Sequence, residues 1–167
     1  MIQLEDRFIE VFDTIPNITF QGVNLKSKYD FGTETDCIRF LTVNSKGKDK
    51  YPLIWLETPI NLKGKEPLFN TGLKFILAYP TEAQMENRQR LQTYFKDVLD
   101  PLYAYVITAL QQCGFVRFIN QKQNTFARHY NYTNVTEDKT ELDLWDAIVF
   151  GRACEINSSC DIKTINY

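Results

Sequence analysis

The most regular pattern of hydrophobic and polar positions lies between Thr81 and Cys113. From Leu91 onward the apolar residues recur in steps of three and four, which places one broad apolar stripe along a helix. The stripe consists of Leu91, Tyr94, Phe95, Val98, Leu99, Leu102, Tyr105, Val106, Ala109, Leu110 and Cys113. Thr81 is a suitable N-cap and Gly114 a suitable stop, so the pattern predicts a helix over 81–113.

Pro101 falls inside this helical pattern. An interior proline removes one backbone hydrogen bond and crowds the preceding turn. It therefore indicates a kink, or a second helix that begins with Asp100 as cap and Pro101 at the first helical position. The apolar stripe continues in phase across Pro101, which favours the kink.

A second amphipathic pattern lies at the N-terminus. Residues 2–13 carry apolar residues on one face and acids on the other, and Pro16 ends the pattern. It predicts a short helix that presents Leu4, Phe8, Val11, Phe12 and Ile15 to the core.

Five segments have the composition of strands: 37–43, 51–58, 73–79, 115–120 and 142–157. The segment 51–58 is apolar on both faces and is bracketed by Pro52 and Pro59, so we expect it inside the sheet. The last segment is long enough to carry a bulge, for which Gly151 is the candidate.

The predicted fold is one α+β domain over residues 1–167. A mainly antiparallel sheet of about four or five strands packs against the long helix 81–113, together with the short N-terminal helix. Three polar segments, 17–36, 58–72 and 121–140, are candidate arms or loops. The segment 58–72 either folds over its own apolar side chains or protrudes towards a partner.

Composition narrows the function classes. The chain has 19 basic and 21 acidic residues, a net charge of −2, which argues against a protein whose main task is to grip nucleic acid. No apolar run approaches the roughly 20 residues that span a bilayer. The N-terminus carries acids among its apolar residues and does not resemble a signal peptide, which predicts a cytoplasmic protein.

The residues that usually carry chemistry are scattered. The four cysteines form no CxxC pair, and Cys113 and Cys154 lie in apolar contexts typical of reduced core thiols. His129, the one histidine, has no nucleophile nearby and is expected to be solvated or packed on aromatics. The sequence therefore predicts no cofactor, no metal and no enzyme activity.

Acidic residues offer one alternative. Glu141, Asp143 and Asp146 form the densest acid cluster, and with Glu155 they suggest a metal-dependent nuclease. On a strand, however, Asp146 points away from the other two. The simpler expectation is a solvated start of the last strand.

Aromatic and aliphatic residues in polar surroundings are the candidate contacts. Leu68 and Phe69 lie in the loop 58–72, while Tyr130, Tyr132 and Trp145 lie in or near the loop 121–140. Aromatic side chains on a surface tend to mark contacts with other molecules. These five residues are the predicted subunit or partner contacts.

The order of the elements resembles one family. A helix with the phrase Leu99-Asp100-Pro101-Leu102-Tyr103 precedes a strand with Asp146-Ala147-Ile148-Val149. This arrangement, from about Tyr51 to Ile156, resembles the head–tail connector and tail-terminator proteins (head-completion and neck-ring proteins) of tailed bacteriophages, including crAss-like and other phages of Bacteroidetes. Two features depart from that pattern: the sequence has no strong acidic run to line a lumen, and the segment before Tyr51 does not match.

The resemblance implies a virion protein without enzyme activity, assembled in the host cytoplasm. It would form a six- or twelve-fold homo-oligomeric ring at the head–tail junction and contact portal, connector and tail proteins, while DNA passes through as cargo. No membrane is involved. The alternative from another class is a monomeric or dimeric binding or regulatory module.

Overall fold

The computed structural model describes residues 3–43, 51–82, 84–132 and 144–167. Glu141 and Asp143 lie outside the described residues. Within the described residues, three helical regions and eight strands alternate irregularly, which confirms the α+β class. The elements are α1 (Leu4–Asp13), β1 (Ile18–Phe20), β2 (Val23–Leu25), β3 (Lys28–Gly32), α2 (Glu34–Val43), β4 (Leu53–Glu57), β5 (Lys63–Lys65), β6 (Leu68–Thr81), α3 (Asn87–Arg90), a π-helical segment (Leu91–Leu99), α4 (Asp100–Gln112), β7 (Val116–His129) and β8 (Leu144–Asn157).

The main sheet has six strands, more than the four or five predicted. Its order is β3-β4-β6-β8-β7, and β5 pairs with the first residues of β6. Neighbouring strands are antiparallel except β3 and β4, which are parallel. Strands β1 and β2 form a separate hairpin. The edges of the main path are β3 and β7.

The strand predicted over 51–58 lies inside this sheet, as expected. Residues 53–56 of β4 are buried on both faces, and the strand pairs with β3 on one side and β6 on the other. Pro52 and Pro59 flank it. Burial on both faces explains why this segment shows a continuous apolar run rather than alternation.

The long helix keeps the predicted apolar stripe but starts later. Residues 79–81 pair with β8, so Thr81 ends β6 and is not a helix cap. The helix begins at Asn87, where the Glu86 amide donates to Gln89 Oε1 at 3.2 Å and completes a capping box. Its stripe is buried from Tyr94 to Cys113 apart from the half-buried Tyr105, while Leu91 remains exposed.

Pro101 neither ends nor restarts the helix. The backbone on both sides keeps right-handed helical angles, and the Asp100 amide donates to the Phe95 carbonyl, five residues back. This wider π-helical spacing covers Leu91–Leu99 and ends two residues before Pro101, the residue that lacks an amide proton. Near Pro101 the structure therefore shows a change in the backbone hydrogen-bond spacing, from four residues to five.

The strand predicted over 37–43 is wrong, because these residues belong to helix α2. Thr33 and Asp36 form the start: the Asp36 amide donates to Thr33 Oγ1 at 3.2 Å, and the Thr33 amide donates to Asp36 Oδ2 at 3.0 Å. Cys37 and Leu41, one turn apart, are buried. The apolar run is too short to distinguish the period of a helix from that of a strand.

The N-terminal helix is confirmed as α1, and its five predicted apolar residues are buried. The segment 17–36, predicted as an extended arm, instead supplies the β1–β2 hairpin, the edge strand β3 and the start of α2. Gln21 and Gly22 have positive φ angles, 49° and 77°, at the hairpin turn.

Strand β8 is confirmed over Leu144–Asn157, but the predicted bulge at Gly151 is not there. The β6–β8 ladder runs through Gly151 without interruption, and the irregular pairings lie in β7 between Phe118 and Thr125. The segment 115–120 was predicted too short, because β7 continues to His129 and uses part of the predicted loop 121–140.

The two faces of the sheet are covered unequally. The helix face carries α1 and the helix 87–112, which enclose the larger core. On the opposite face, Cys37 and Leu41 of α2 pack on Leu53, Trp55 and Ile76. A strand of 14 residues extends about 46 Å, whereas a helix of 10 residues extends about 15 Å. Among the described elements, therefore, α2 covers one end of that face.

Candidate interaction surface

The described residues that were considered for chemistry do not come together in one site. His129 is exposed, and its ring lies 5.6 Å from that of Tyr132 in an edge contact. Glu155 faces Arg117 at 3.1 Å. No group of three or more possible metal ligands occurs among the described residues. The solvated role predicted for Asp146 is wrong, because its side chain is fully buried.

Asp146 belongs to a buried polar cluster where β8 meets the start of the long helix. Arg90, 2% exposed, lies 3.5 Å from its carboxylate. Arg90 also donates to Asn131 Oδ1 and to the Glu82 carbonyl, and the Asn131 amide donates to Asp146 Oδ1 at 3.2 Å. Burial raises the pKa of Asp146, against the lowering effects of the Asn131 amide and Arg90. Through these contacts the cluster links the turn after β7 to the start of the helix 87–112.

The cysteines predicted to be core thiols are buried. Burial raises the pKa of Cys154 to about 12, and it raises the pKa of Cys113 as well. Cys37 is equally buried, and its pKa is also raised to about 12. Cys160 is half-buried. Since the thiolate is the nucleophile, the three buried thiols are poor reactants.

The predicted loop 58–72 contains a β-hairpin that projects from the end of the sheet away from α2. Strand β5 pairs with residues 68–70 of β6, and the Ser158 amide donates to the Pro67 carbonyl at 2.8 Å. Leu68 is 45% exposed, whereas Phe69 is partly buried against the core. Of the two predicted contacts, Leu68 is the one available to a partner.

The other three predicted contacts differ in exposure. Tyr130 packs on Phe95 with ring centroids 5.0 Å apart, and the Tyr132 hydroxyl donates to Glu34 at 2.8 Å. Trp145 is fully buried beside Tyr51, so its place among the surface contacts is wrong. Polar sequence surroundings made Trp145 resemble a surface residue, but its described acidic neighbour Asp146 points to the other face of the strand.

Several large apolar residues outside the predicted contacts are exposed, and four of them lie on two sides of the sheet. Ile9 and Phe31, 50% and 39% exposed, lie beside the β3 edge. Ile119 and Phe126, 45% and 43% exposed, lie on β7. No single-sequence signal distinguishes Phe31, Ile119 and Phe126 from core residues, since their exposure depends on which strands are edges.

A concave region of about 390 Å³ separates the projecting hairpin from the irregular part of β7. Lys63 and Asn61 line one side, and Ile119 and Gln123 line the other. Its floor includes Gly72 of β6. Small and polar residues on this part of the sheet are consistent with a solvated surface.

Comparisons with known proteins add no relative: no protein-family model matches the chain, and no curated protein matches it significantly. In the part of the chain that the structure describes, no helix has the length and hydropathy to cross a membrane. The surface itself is therefore the basis for a functional proposal.

Proposed function

We propose that the protein is a structural ring component of a bacteriophage head–tail connector or tail terminus. The observation that carries the proposal is the exposure of apolar side chains on two opposite edges of one sheet. Phe31 marks the β3 edge and Phe126 the β7 edge. A subunit that contacts copies of itself head to tail needs two different surfaces, and such contacts close into rings when the rotation permits.

The projecting hairpin adds a third surface, distinct from the two edges. Leu62 and Leu68 are 42% and 45% exposed, and Lys63 and Lys65 lie between them in sequence. In a ring this hairpin is available to portal, connector or tail proteins above or below. The net charge of −2 suits a channel that lets DNA pass without binding it tightly. The protein would be assembled in the bacterial cytoplasm and retained in the virion.

Mass photometry and negative-stain imaging test the proposal. The purified protein, alone and mixed with candidate portal and tail partners, is expected to give closed rings of one subunit number, six or twelve. Neighbouring portal and capsid genes would add independent support. A protein that stays monomeric at every concentration and ignores those partners would contradict the proposal.

The rival proposal is a small binding or regulatory module. Saturable one-to-one binding of a ligand or host protein by a monomer or dimer would favour it over a ring. A metal-dependent nuclease would instead show Mg²⁺-dependent cleavage that Asp143→Ala or Glu155→Ala abolishes. We expect no such cleavage, because Glu155 faces Arg117.

A further inference from the structure

One row of apolar side chains crosses the helix face of the sheet from edge to edge. Each residue pairs with the next across adjacent strands, and residues paired in this way lie on the same face. The row consists of Phe31, Leu56, Phe75, Phe150 and Phe126. Its three inner members are fully buried, while the two terminal phenylalanines are exposed. The row therefore ends in apolar surface on both sides.

Both edges of the sheet present strand backbone at this level. Among the described residues, β3 pairs only with β4, and residues 125–129 of β7 pair only with β8. The two free segments have equal length, five residues each. An unpaired strand edge is a template for another strand.

The direction of the strands also matches. Strand β3 runs parallel to β4, and three antiparallel steps then lead through β6 and β8 to β7. Strand β7 therefore runs opposite to β3. If the sheet continues from one copy into the next in the same orientation, β7 meets the neighbour's β3 as an antiparallel pair.

We propose that β3 of one copy pairs with residues 125–129 of β7 in the next copy, in the register that puts Phe31 opposite Phe126. This inference rests on the proposed ring function and names its subunit contact. The register continues the existing rows, so Tyr29 lies opposite Arg128 and Asp30 opposite Ala127. An aromatic cross-strand pair and a cation–π contact then supplement the backbone hydrogen bonds.

Asp30 gives the free subunit a way to protect its edge. Its Oδ1 atom accepts a hydrogen bond from the Phe31 amide at 2.9 Å. On the β4 side, the Lys28 amide donates to the Pro52 carbonyl, and the Gly32 carbonyl accepts from the Thr58 amide. Because the backbone groups of successive strand residues alternate between the two sides, the Phe31 amide points to the outer edge. On pairing with β7, the Phe31 amide donates instead to a backbone carbonyl of the neighbour.

Disulfide trapping tests the contact. In a Cys160→Ser background, Asp30→Cys combined with Ala127→Cys places thiols on directly opposed residues of neighbouring copies. Within one chain the two positions are four strand spacings apart, about 19 Å, so no bond forms there. Mild oxidation is expected to give a ladder of covalent oligomers up to the ring number on a non-reducing gel.

Two control variants test whether the crosslink is specific to the proposed register. Asp30→Cys with Gln121→Cys, on the irregular part of β7, is expected to stay monomeric on the gel. Ala127→Cys alone is expected to give no dimer, since a dimer would indicate pairing of two β7 strands and would overturn the proposal.

Rings from the unmodified protein without crosslinking of the 30/127 pair would overturn this contact and leave the ring function standing. A strictly monomeric protein would overturn both.

A charge substitution gives a second, independent measurement. Phe126→Asp is expected to lower the ring fraction at least tenfold in mass photometry while the monomer stays folded, with a small decrease in melting temperature from the lost contact with Tyr103. The matched control is Ile119→Asp, on the same strand and equally exposed but outside the row, and it is expected to keep the rings. Equal effects of both variants would contradict the proposed register.

Discussion

Asp146 and Arg90 are ionisable side chains buried away from water, although an isolated charge is more stable in water. Two charges removed from water are stabilised only if each finds its partners. Arg90 has Asp146, Asn131 and the Glu82 carbonyl within reach, while Asp146 has Arg90 and the Asn131 amide. The pair is thus a position where one substitution leaves the other charge buried without its counter-ion.

We expect Asp146→Asn to destabilise the protein by about 3 kcal/mol, because Arg90 loses its buried counter-ion. Chemical denaturation followed by tryptophan fluorescence measures the change. The double variant Arg90→Met/Asp146→Asn is expected to recover at least half of the loss, since it removes both charges. A double variant less stable than Asp146→Asn alone would contradict the account.

The buried thiols predict alkaline destabilisation. The pKa of Cys37 and of Cys154 is about 12 in the folded protein against an ordinary 9.0. The unfolded chain therefore loses these protons first, and the stability present below pH 9.0 declines as the pH rises towards 12. Urea unfolding at pH 7 to 10.5 measures the slope. Cys37→Ala/Cys154→Ala is expected to flatten it in part, since the half-buried Tyr29 and Tyr132 also have raised pKa values.

At the scale of elements, β7 and β8 approach each other closely at Gly151. A Cβ atom added there would lie 2.8 Å from Thr125 Oγ1 but 4.0 Å from Thr125 Cβ. The hydroxyl oxygen of one neighbouring residue therefore decides whether a side chain fits. Thr125 begins the regular pairing of β7 after its irregular part, which makes this contact important for the β7 register.

We expect Gly151→Ala to destabilise the protein by about 1 kcal/mol, because a β-branched threonine has few other rotamers. Thermal unfolding of the single and double variants measures it. Thr125→Ala/Gly151→Ala is expected to be more stable than Gly151→Ala, since the shorter side chain leaves ordinary van der Waals distance. Equal stability of the two variants would show that the loss comes from the backbone of Gly151.

At the scale of the whole molecule, the predicted contacts separate into core and surface. Trp145 lies in the smaller core beneath α2, while Leu68 lies on the projecting hairpin. Both are large apolar residues in polar sequence surroundings. Their roles diverge only because the sheet buries one of them.

This difference predicts opposite outcomes for two substitutions. Trp145→Ala is expected to cost about 3–5 kcal/mol of stability through the cavity it leaves. Leu68→Ser is expected to leave the melting temperature nearly unchanged and to weaken association with neck partners in a pull-down or by mass photometry. Phe69→Ser serves as the control beside it, since that partly buried residue contacts the core and should lower stability. A Leu68→Ser variant with full partner binding would exclude the hairpin as a contact.

The elements predicted well are those whose periodicity extends over several turns or a long strand. The helix 87–112, α1, β4 and β8 carry patterns that one buried face imposes at every turn or every second residue. The short run 37–43 failed because seven apolar-rich residues fit either period, and the capping residues Thr33 and Asp36 were the decisive signal.

The sequence by itself determined the class of the fold, the buried stripe of the long helix and the inner position of β4, since each depends on the order of side chains along one element. Only the tertiary structure decided the parallel β3–β4 pair, the burial of Trp145 and Asp146, and the edges that expose Phe31 and Phe126. Strand order brings together residues far apart in sequence, and a local sequence pattern does not specify which residues these neighbours are. The proposed ring contact depends on that order.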